Sequence, residues 1–245
     1  MNDGNPRVVC EEAIAVGVMY ASPLDPEFSV ERIPNRIMPV HSWQYRYIKR
    51  AIEFILALIL FMLLAIPGFL IAAAILLTSP GPVFYREERV GRGGYPFRIW
   101  KFRSMYWNAE RHRWVRETAQ TGRRVEWRMR KDLEDPRVTR VGRFLRRWSL
   151  DEIPQLLNVL RGEMSLVGPR PIVESEIPHY GDQLSIYLAA NPGVSGLWQI
   201  SGRSNVGYRL RAEMDACYVQ SWSLGLDLYI ALRTVPAVVG RVGAG

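Results

Sequence analysis

The residues best suited to chemistry are two adjacent acids, Asp151 and Glu152, which lie in a strongly basic part of the chain. Residues 101–150 hold 15 Lys or Arg against 6 Asp or Glu, and the 245-residue chain carries a net charge of +8. Such a surplus predicts an anionic partner: nucleic acid, lipid headgroups or a phosphorylated substrate. Adjacent carboxylates among arginines suit a divalent cation, because Mg²⁺ typically takes one or two carboxylates plus the phosphate oxygens of a substrate.

Arginines surround this acidic pair along the sequence. Arg146 and Arg147 lie just upstream, Arg170 stands between two prolines, and Arg203 lies in the segment SGRSN. Glycine-flanked arginine loops and helix N-termini both donate hydrogen bonds to phosphate oxygens. Together with the carboxylates they predict phosphoryl chemistry. The chain has neither a GxxxxGK[ST] loop nor the protein-kinase motifs, which disfavours the usual kinds of nucleotide hydrolysis.

The two acids also have a purely structural explanation as the start of a helix. Ser149 followed three residues later by Glu152 fits a capping box, and acids in a first turn interact favourably with the helix dipole. Asp151 could instead be the N-cap, because Pro154 is best placed very near a helix start. The acids alone favour this explanation, whereas the arginines around them favour an active site.

One long apolar segment precedes the acids. The 24 residues from Phe54 to Leu77 carry no charge. As a straight helix they would extend about 36 Å, enough to cross a bilayer core of about 30 Å. Pro67, followed by Gly68, sits at the midpoint and should kink the helix. Basic residues flank both ends, and such flanks prefer the cytoplasm: Arg46, Lys49 and Arg50 before, Arg86, Arg89 and Arg92 after.

These features predict a re-entrant membrane helix over residues 45–80, with Pro67 at the break and both ends on the cytoplasmic side. The broken backbone must then find partners in protein or near the headgroups, since lipid offers none. A simple spanning helix remains the alternative.

A β-hairpin should follow the apolar segment. The runs VFYREERV and YPFRIWKFRSM flank a glycine-rich turn at 91–94. Lys101 and Arg103 lie two residues apart on the second run and should share a face, since side chains alternate along a strand. A solvated strand face is the ordinary explanation. The basic surroundings make both residues, together with Arg147, candidates for substrate binding.

Apolar residues at helical spacing predict helices over most of the remaining chain. Residues 140–149 should turn Val141, Phe144 and Leu145 inward, and the next helix should bury Ile153, Leu156, Leu157 and Leu160. Further helices are expected near 174–190, 207–221 and 224–239. The predicted fold class is α+β and helix-dominated, with a flexible tail over 1–44 and a cytosolic catalytic domain over 81–245.

Three ordered motifs carry a resemblance to a known family. KFRSM (101–105), RRWSLDEIPQLLNVLRGEMSLVGPRP (146–171) and PGVSGLWQISGRS (192–204) lie behind the proline-broken apolar segment. The chain resembles the bacterial sugar transferases, the monotopic phosphoglycosyl transferases, over about residues 45–235. Larger relatives add N-terminal membrane spans and a nucleotide-fold domain, so this sequence is similar to the short, catalytic-core form.

The resemblance implies transfer of a sugar 1-phosphate from a UDP-sugar to polyprenyl (undecaprenyl) phosphate with release of UMP. It further implies Asp151 as nucleophile, Glu152 assisting with Mg²⁺, Arg146 in the catalytic set, and Arg170 and Arg203 as phosphate or nucleotide contacts. The short form weakly favours glucose or galactose and exopolysaccharide synthesis. The implied location is the bacterial inner membrane, with membrane lipid as a partner and the catalytic domain on the cytoplasmic face.

One departure concerns the membrane break. Many members have Ser-Pro there, and here the pair is Ile66-Pro67. A serine hydroxyl could bond a freed carbonyl, whereas an isoleucine side chain cannot.

Two other functions fit parts of the pattern. A membrane-tethered basic module binding anionic lipid or nucleic acid explains the charge and the anchor, but not the acids at its centre. A lipid diphosphate hydrolase would use water in place of the lipid acceptor. The transferase interpretation predicts no nucleic-acid partner, and the sequence leaves open whether the chain forms a homo-oligomer.

Overall fold

The computed structural model describes residues 38–107, 135, 137–201 and 207–239. Helices dominate this part of the chain and two small two-stranded sheets accompany them, which confirms the α+β class. The helices are Gln44–Leu63 (α1), Ala65–Thr78 (α2), Arg140–Arg147 (α3), Leu156–Arg161 (α4), Leu184–Tyr187 (α5), Leu197–Ser201 (α6), Tyr208–Ser221 (α7) and Leu224–Val239 (α8). The strands are Phe84–Val90 (β1), Pro96–Phe102 (β2), Ser165–Val167 (β3) and Gly193–Ser195 (β4).

The apolar segment forms two helices that meet at a sharp bend. α1 and α2 are bent by 56° at Leu64, three residues before Pro67. Pro67 has no N–H to donate to the Leu63 carbonyl, and it is tolerated within the first turn of α2 because first-turn N–H groups lack helical partners anyway. Among the described residues no single helix is long and apolar enough to cross a membrane, whereas the bent pair is, by length and composition alone.

The bent pair leaves a large apolar surface that the rest of the described chain does not cover. Ile66 is 75% exposed, Phe69 is 73% exposed and Leu77 is 86% exposed. Between residues 50 and 63 of α1 only Glu53 and Ala57 are buried, and in α2 only Ile75 is buried. Apolar surface of this extent marks a contact with lipid or with another protein.

Lys49, predicted as a basic flank of the membrane segment, is instead buried within the protein. Its Nζ lies 2.8 Å from a Glu53 carboxylate oxygen, 2.7 Å from Asp227 Oδ2 and 2.9 Å from the Val167 carbonyl. Glu53 Oε1 also accepts hydrogen bonds from the backbone N–H groups of Leu166 and Val167. We call Lys49, Glu53 and Asp227 the buried ion cluster; it joins α1, β3 and α8.

Further donors extend this attachment. Tyr218 and Trp222 donate to the two Asp227 carboxylate oxygens at 2.7 and 2.9 Å. Arg50, a second predicted flank, donates to the carbonyls of Leu160 and Met164 at 3.2 and 3.4 Å. Two of the three basic residues before the apolar segment therefore hold it to the protein, and only Arg46 of that flank is exposed.

The predicted hairpin is confirmed. β1 and β2 pair antiparallel from Phe84↔Phe102 to Val90↔Pro96, and the turn places Gly93 at φ 68° and Gly94 at φ 83°, where glycine is favoured. Asn158 of α4 binds the hairpin backbone: it donates to the Arg98 carbonyl at 2.8 Å and accepts from the Trp100 N–H at 3.0 Å. The buried Ile99 packs against the same helix. The hairpin and α4 therefore form one unit.

Several sequence expectations were wrong in detail. Residues 174–190 are not one helix but short 3₁₀ turns followed by α5, because Pro178 lacks a donor and Gly181 adopts φ 46°. Phe144, expected to point inward, is 56% exposed, whereas its neighbour Leu145 is buried. The parallel pair β3 and β4 was not predicted, since strands of three residues carry almost no pattern.

The folded unit begins before the predicted end of the tail. Val40 is 1% exposed and lies in the core cluster of α7 and α8. The Tyr45 and Trp222 rings meet edge to face at 4.9 Å. Residues 38–44 therefore belong to the folded unit, while residues 1–37 of the predicted tail lie outside the described residues.

The buried ion cluster generates a stability prediction. Lys49→Met should lower the free energy of unfolding by about 3–5 kcal/mol, because the buried Glu53 and the partly buried Asp227 carboxylates lose their shared cation. Denaturant unfolding in detergent checks this value. Arg46→Met, one turn earlier on the exposed side of α1, should change the free energy by no more than about 0.5 kcal/mol. Equal effects of the two variants would contradict the role given to Lys49.

Candidate active site

The acidic pair lies on a 3₁₀ helix, Leu150–Gln155, that begins after a strained residue. Ser149 adopts φ 54° and is the only described non-glycine residue with positive φ. Its side chain makes no capping hydrogen bond, so the capping-box explanation of the two acids is wrong. Left-handed conformations of such residues cost about 1–3 kcal/mol and cluster at functional sites.

Asp151 is held in the protein interior with an incomplete set of partners. Asp151 is only 5% exposed, and its Oδ1 has no hydrogen-bond partner within the described part of the chain. A buried carboxylate oxygen without a donor is costly unless positive charge lies nearby. A cation close to Asp151 would therefore stabilise its carboxylate.

Arg146 supplies positive charge from α3. Its Nε donates to Ser104 Oγ at 2.8 Å, which fixes the side chain against the segment after β2. Burial lowers the pKa of Arg146, and the charges of Asp151 and Asp135 partly oppose this shift. The structure therefore places Arg146 close enough to Asp151 for their charges to interact, and the family resemblance had implied a role for the arginine five residues before the acid.

A small, partly open cleft adjoins the acidic pair and collects cationic side chains from three segments. Lys101 Nζ lies 3.3 Å from Glu152 Oε1 across its wall. Arg170 contributes a further positive charge from the segment after β3. Within the described residues, the Arg170 guanidinium makes no hydrogen bond or ion pair, and it lies 5.5 Å from the Trp198 ring centroid. Three predicted site residues, Lys101, Glu152 and Arg170, thus meet at one cleft, whereas Asp151 is buried and does not line it.

Three other predicted residues are placed differently. Arg103 is buried, and its guanidinium donates to the Ser79 and Pro80 carbonyls at 2.7 and 2.6 Å. It follows the last residue of β2, so the strand alternation that suggested a face shared with Lys101 does not extend to it. The expectation that Arg103 binds substrate is replaced by a structural role. Arg147 is exposed and does not line the cleft, and Arg203 lies outside the described residues.

Sequence reasoning missed three polar residues of the cleft: Arg89, Gln155 and Gln199. Arg89 was interpreted as a membrane flank, but it forms an ion pair with Glu87 and donates to the Pro171 carbonyl at 3.1 Å. Its Nε is buried without a partner among the described residues. Gln155 and Gln199 both lie within the motifs that carried the family resemblance, which was the available signal.

A second buried carboxylate lies behind Arg170. Asp215 of α7 is 0% exposed and its Oδ2 accepts a hydrogen bond from the Tyr180 hydroxyl at 2.8 Å. Burial raises the pKa of Asp215 to about 7, although the Tyr180 hydrogen bond and the positive charges of Arg170 and Arg211 act in the opposite direction. The segment carrying Arg170 is thus backed by a carboxyl group that titrates near neutrality.

Comparison with known proteins agrees with this arrangement. Residues 44–241 match the bacterial sugar transferase family. The chain belongs to that family. The match includes the bent helix pair, the hairpin, the acidic pair and the cleft, so the resemblance expected from three motifs is confirmed over nearly the whole folded unit.

Three relatives illustrate how far the similarity extends. The UDP-galactose-lipid carrier transferase of Erwinia amylovora is 42% identical over 89% of this chain and 45% of that protein. The exopolysaccharide production protein ExoY of Sinorhizobium fredii is 44% identical over 78% of this chain and 84% of that protein. The UDP-glucose:undecaprenyl-phosphate glucose-1-phosphate transferase of Caulobacter vibrioides is 42% identical over 78% of this chain and 69% of that protein. The chain spans less than half of the first relative and most of the other two.

The buried carboxyl of Asp215 predicts a pH dependence of the protein's stability. Because the pKa of Asp215 is about 7 in the fold and ordinarily 3.8, the folded state keeps a proton that the unfolded state has released between these values. Stability should therefore fall as pH rises through this window, by at most ~1.4 kcal/mol per pH unit from this group. Asp215→Asn should remove that fall.

Denaturant unfolding at pH 5, 6 and 7 measures the effect. The free energy of unfolding of Asp215→Asn should rise relative to wild type with each step in pH. The exposed acid Glu174 provides the control, since Glu174→Gln should follow the wild-type profile. Parallel profiles for wild type and Asp215→Asn would show that Asp215 titrates normally.

Proposed function

We propose that the protein transfers a hexose 1-phosphate from a UDP-sugar to undecaprenyl phosphate, giving undecaprenyl-diphospho-sugar and UMP. The observation that carries the proposal is the buried, incompletely paired Asp151 beside a cleft lined by Glu152, Lys101 and Arg170. The names of the Erwinia and Caulobacter relatives support galactose or glucose as the sugar. The reaction would be the initiating step of exopolysaccharide or other surface-glycan synthesis.

The charges around Asp151 suit attack on a diphosphate. A carboxylate approaching a phosphate is repelled by about 1 kcal/mol per charge pair at 4 Å in water, and by more in a drier site. Arg146 beside the carboxylate, and Arg170 and Lys101 in the cleft, would offset this repulsion. The same charges would neutralise the leaving UMP.

The proposed transfer has two displacements on one phosphorus atom. An Asp151 oxygen forms a bond to the β-phosphorus of the UDP-sugar, and the bond to the bridging oxygen breaks, so that UMP leaves with the electron pair. An oxygen of undecaprenyl phosphate then attacks the same phosphorus and releases Asp151. Splitting the transfer in this way lets a water-soluble donor and a lipid acceptor use one site in turn.

A Mg²⁺ ion fits the chemistry of the acidic pair. Asp151 offers a buried oxygen without a partner, and Glu152 offers a second carboxylate next to it. Within the described residues no group of three or more His, Cys, Asp or Glu side chains is arranged around a metal position. The remaining ligands would therefore be substrate phosphates and water, as Mg²⁺ commonly takes. When bound, the ion would supply positive charge to the diphosphate.

The bent helix pair is proposed as a re-entrant membrane anchor at the cytoplasmic face of the inner membrane. Its exposed apolar side chains, including Ile66 and Phe69, would lie among lipid tails. The buried ion cluster attaches the start of α1 to β3 and α8. Arg103, which follows β2, donates to the carbonyls of Ser79 and Pro80 and so attaches the end of α2 to the hairpin. Both ends of the pair are thus attached to the same folded unit, which favours an anchor that enters and leaves on one side.

Asp151→Asn should reduce the rate of UMP release at least a thousandfold while the fold remains intact, because the amide is near-isosteric but a poor nucleophile. The assay uses purified protein in detergent with UDP-glucose or UDP-galactose, Mg²⁺ and undecaprenyl phosphate. Arg143→Gln, an exposed change on the neighbouring helix α3, is the control and should keep wild-type activity. Substantial UMP release by Asp151→Asn would remove Asp151 from the nucleophile role.

The same reagents separate the proposal from its rivals. Wild type supplied with donor alone should gain the mass of a hexose phosphate in intact-protein mass spectrometry, and lose it when undecaprenyl phosphate is added. A hydrolase would release products without a lipid acceptor, and a binding module would release none. Absence of the adduct under rapid quench, with both substrates needed together, would contradict the two-step mechanism.

The anchor predicts a topology that Pro67 controls. In intact cells, a protease added from outside should not reach a cleavage site placed at the N-terminus of wild type. Pro67→Leu restores a backbone donor and should straighten the pair toward a spanning length, so part of the population should become cleavable. Leu70→Ile, an apolar change elsewhere in α2, should behave like wild type. Complete cleavage of wild type would show a single crossing of the membrane.

A further inference from the structure

One face of the β-hairpin carries a strip of aromatic side chains that begins at the bent helix pair. Phe84 of β1 is the cross-strand partner of Phe102 on β2. Two residues further along, Arg86 is the partner of Trp100, and positions two apart on a strand share a face. Phe102 packs in a core cluster with Ile75 of α2. The Phe84 ring stacks on Phe102 with 5.5 Å between centroids and meets the Trp100 ring edge to face at 5.7 Å. The strip therefore leads from α2 outward to Trp100.

Two arginines lie over the ring at the outer end of this strip. The Arg86 guanidinium is 3.7 Å from the Trp100 ring centroid, and the Arg161 guanidinium at the end of α4 is 5.5 Å from it. Both arginines are exposed, and within the described residues neither guanidinium makes a hydrogen bond or an ion pair. Contact with the ring restricts each guanidinium while its N–H groups stay available to an anion. We call Phe84, Arg86, Trp100 and Arg161 the hairpin patch.

The charge of this face has one sign in excess. Its paired strand positions carry Arg86, Arg98 and a single acid, Glu88, which stands opposite Arg98 in the register. Arg161 adds a further positive charge from α4, so three arginines against one glutamate give these four residues a net charge of +2. An anionic partner therefore suits the patch better than a neutral one.

The order of groups from α2 outward matches the order of layers at a bilayer surface. The bent pair exposes apolar side chains such as Ile66 and Phe69, Phe84 is 40% exposed beside it, and the two guanidinium groups come last. In a membrane the hydrocarbon gives way to an interface where tryptophan is enriched, and then to the lipid phosphates. A nucleic acid would use the charges but not the adjoining apolar surface, so the arrangement favours lipid.

We propose that the hairpin patch binds the phosphate headgroup of an anionic phospholipid in the leaflet that holds the bent helix pair. A guanidinium group can donate paired hydrogen bonds to phosphate oxygens. The patch lies on the opposite face of the hairpin from Arg89, Ile99 and Lys101, which line the cleft. A bound headgroup would therefore fix the orientation of the cleft relative to the membrane without entering it. This inference rests on the proposed function, because it takes the bent pair as a membrane anchor.

Native mass spectrometry of the purified protein in a neutral detergent tests the patch, since it reports both the lipids bound and the number of chains. Wild type should bind phosphatidylglycerol in preference to zwitterionic phosphatidylcholine. Arg86→Gln and Arg161→Gln should each lower that preference about fivefold, because an arginine near an anionic lipid surface contributes roughly this factor. Arg209→Gln removes one charge from a 79% exposed side chain of α7 and should keep the wild-type preference. Trp100→Leu keeps both charges and should lie between.

Thermal unfolding confirms that each variant is folded, and if Arg86→Gln fails to fold, Arg161→Gln decides. An unchanged preference in the folded variants, or no preference for phosphatidylglycerol in wild type, overturns the inference. A wild-type dimer that becomes monomeric in Arg86→Gln would show that a second copy of the chain covers the patch, which also overturns it. If the preference falls as expected but wild type releases no UMP from UDP-sugar and undecaprenyl phosphate, the headgroup site stands and the proposed reaction fails.

Discussion

The buried contact of Lys49 with Glu53 and Asp227 is the constraint on which the rest of the structure depends. It ties the start of the apolar helix pair to β3 and α8, and β3 leads directly into the segment that carries Arg170. Burying three charges is expensive, and hydrophobic residues of similar volume often stabilise a core equally well. The ionic cluster adds a preferred placement of α1, because there Lys49 Nζ and Glu53 Oε1 reach their partners in β3 and α8, although Glu53 Oε2 has no partner among the described residues. We interpret it as the joint that sets the active site at a fixed position relative to the apolar surface.

The active site shows the complementary feature, polar groups that the described protein does not satisfy. Most buried polar side-chain atoms in folded proteins have partners, so the exceptions carry information. Six side-chain atoms of the described residues are buried without partners. Asp151 Oδ1, Arg89 Nε and Gln199 Oε1 belong to the acidic pair or to the cleft lining, whereas Glu53 Oε2, Arg103 Nε and Asp215 Oδ1 lie elsewhere. Ser149, in its left-handed conformation, stands immediately before the helix with the acids. Three of the six unpartnered atoms thus lie in or next to the site that also carries the strained Ser149, and a charged ligand there would supply partners.

Asp151 is buried, and its neighbour in the chain, Glu152, lines the cleft. A carboxylate on the open surface would be hydrated and screened from its neighbours, whereas one that is 5% exposed is less screened from the charge of Arg146 and of any bound cation. Glu152, next to it in the chain, faces Lys101 at the cleft. The adjacent acids thus have different surroundings, which suits two different tasks in one reaction.

The sequence by itself determined the class of the fold, the hairpin, the proline-broken apolar segment and the family, because each depends on local patterns or contiguous motifs. It also predicted Asp151, Glu152, Arg146 and Arg170 as candidate site residues, since their residue types and spacing are visible in the sequence. Only the tertiary structure decided that Lys49 and Arg50 bind the protein, that Arg103 is structural, and that Arg89 and Gln199 belong to the cleft. These roles depend on which carbonyls and carboxylates the folded chain brings within hydrogen-bond distance, and residues over 100 positions apart, such as Lys49 and Val167, leave no local signal of that contact.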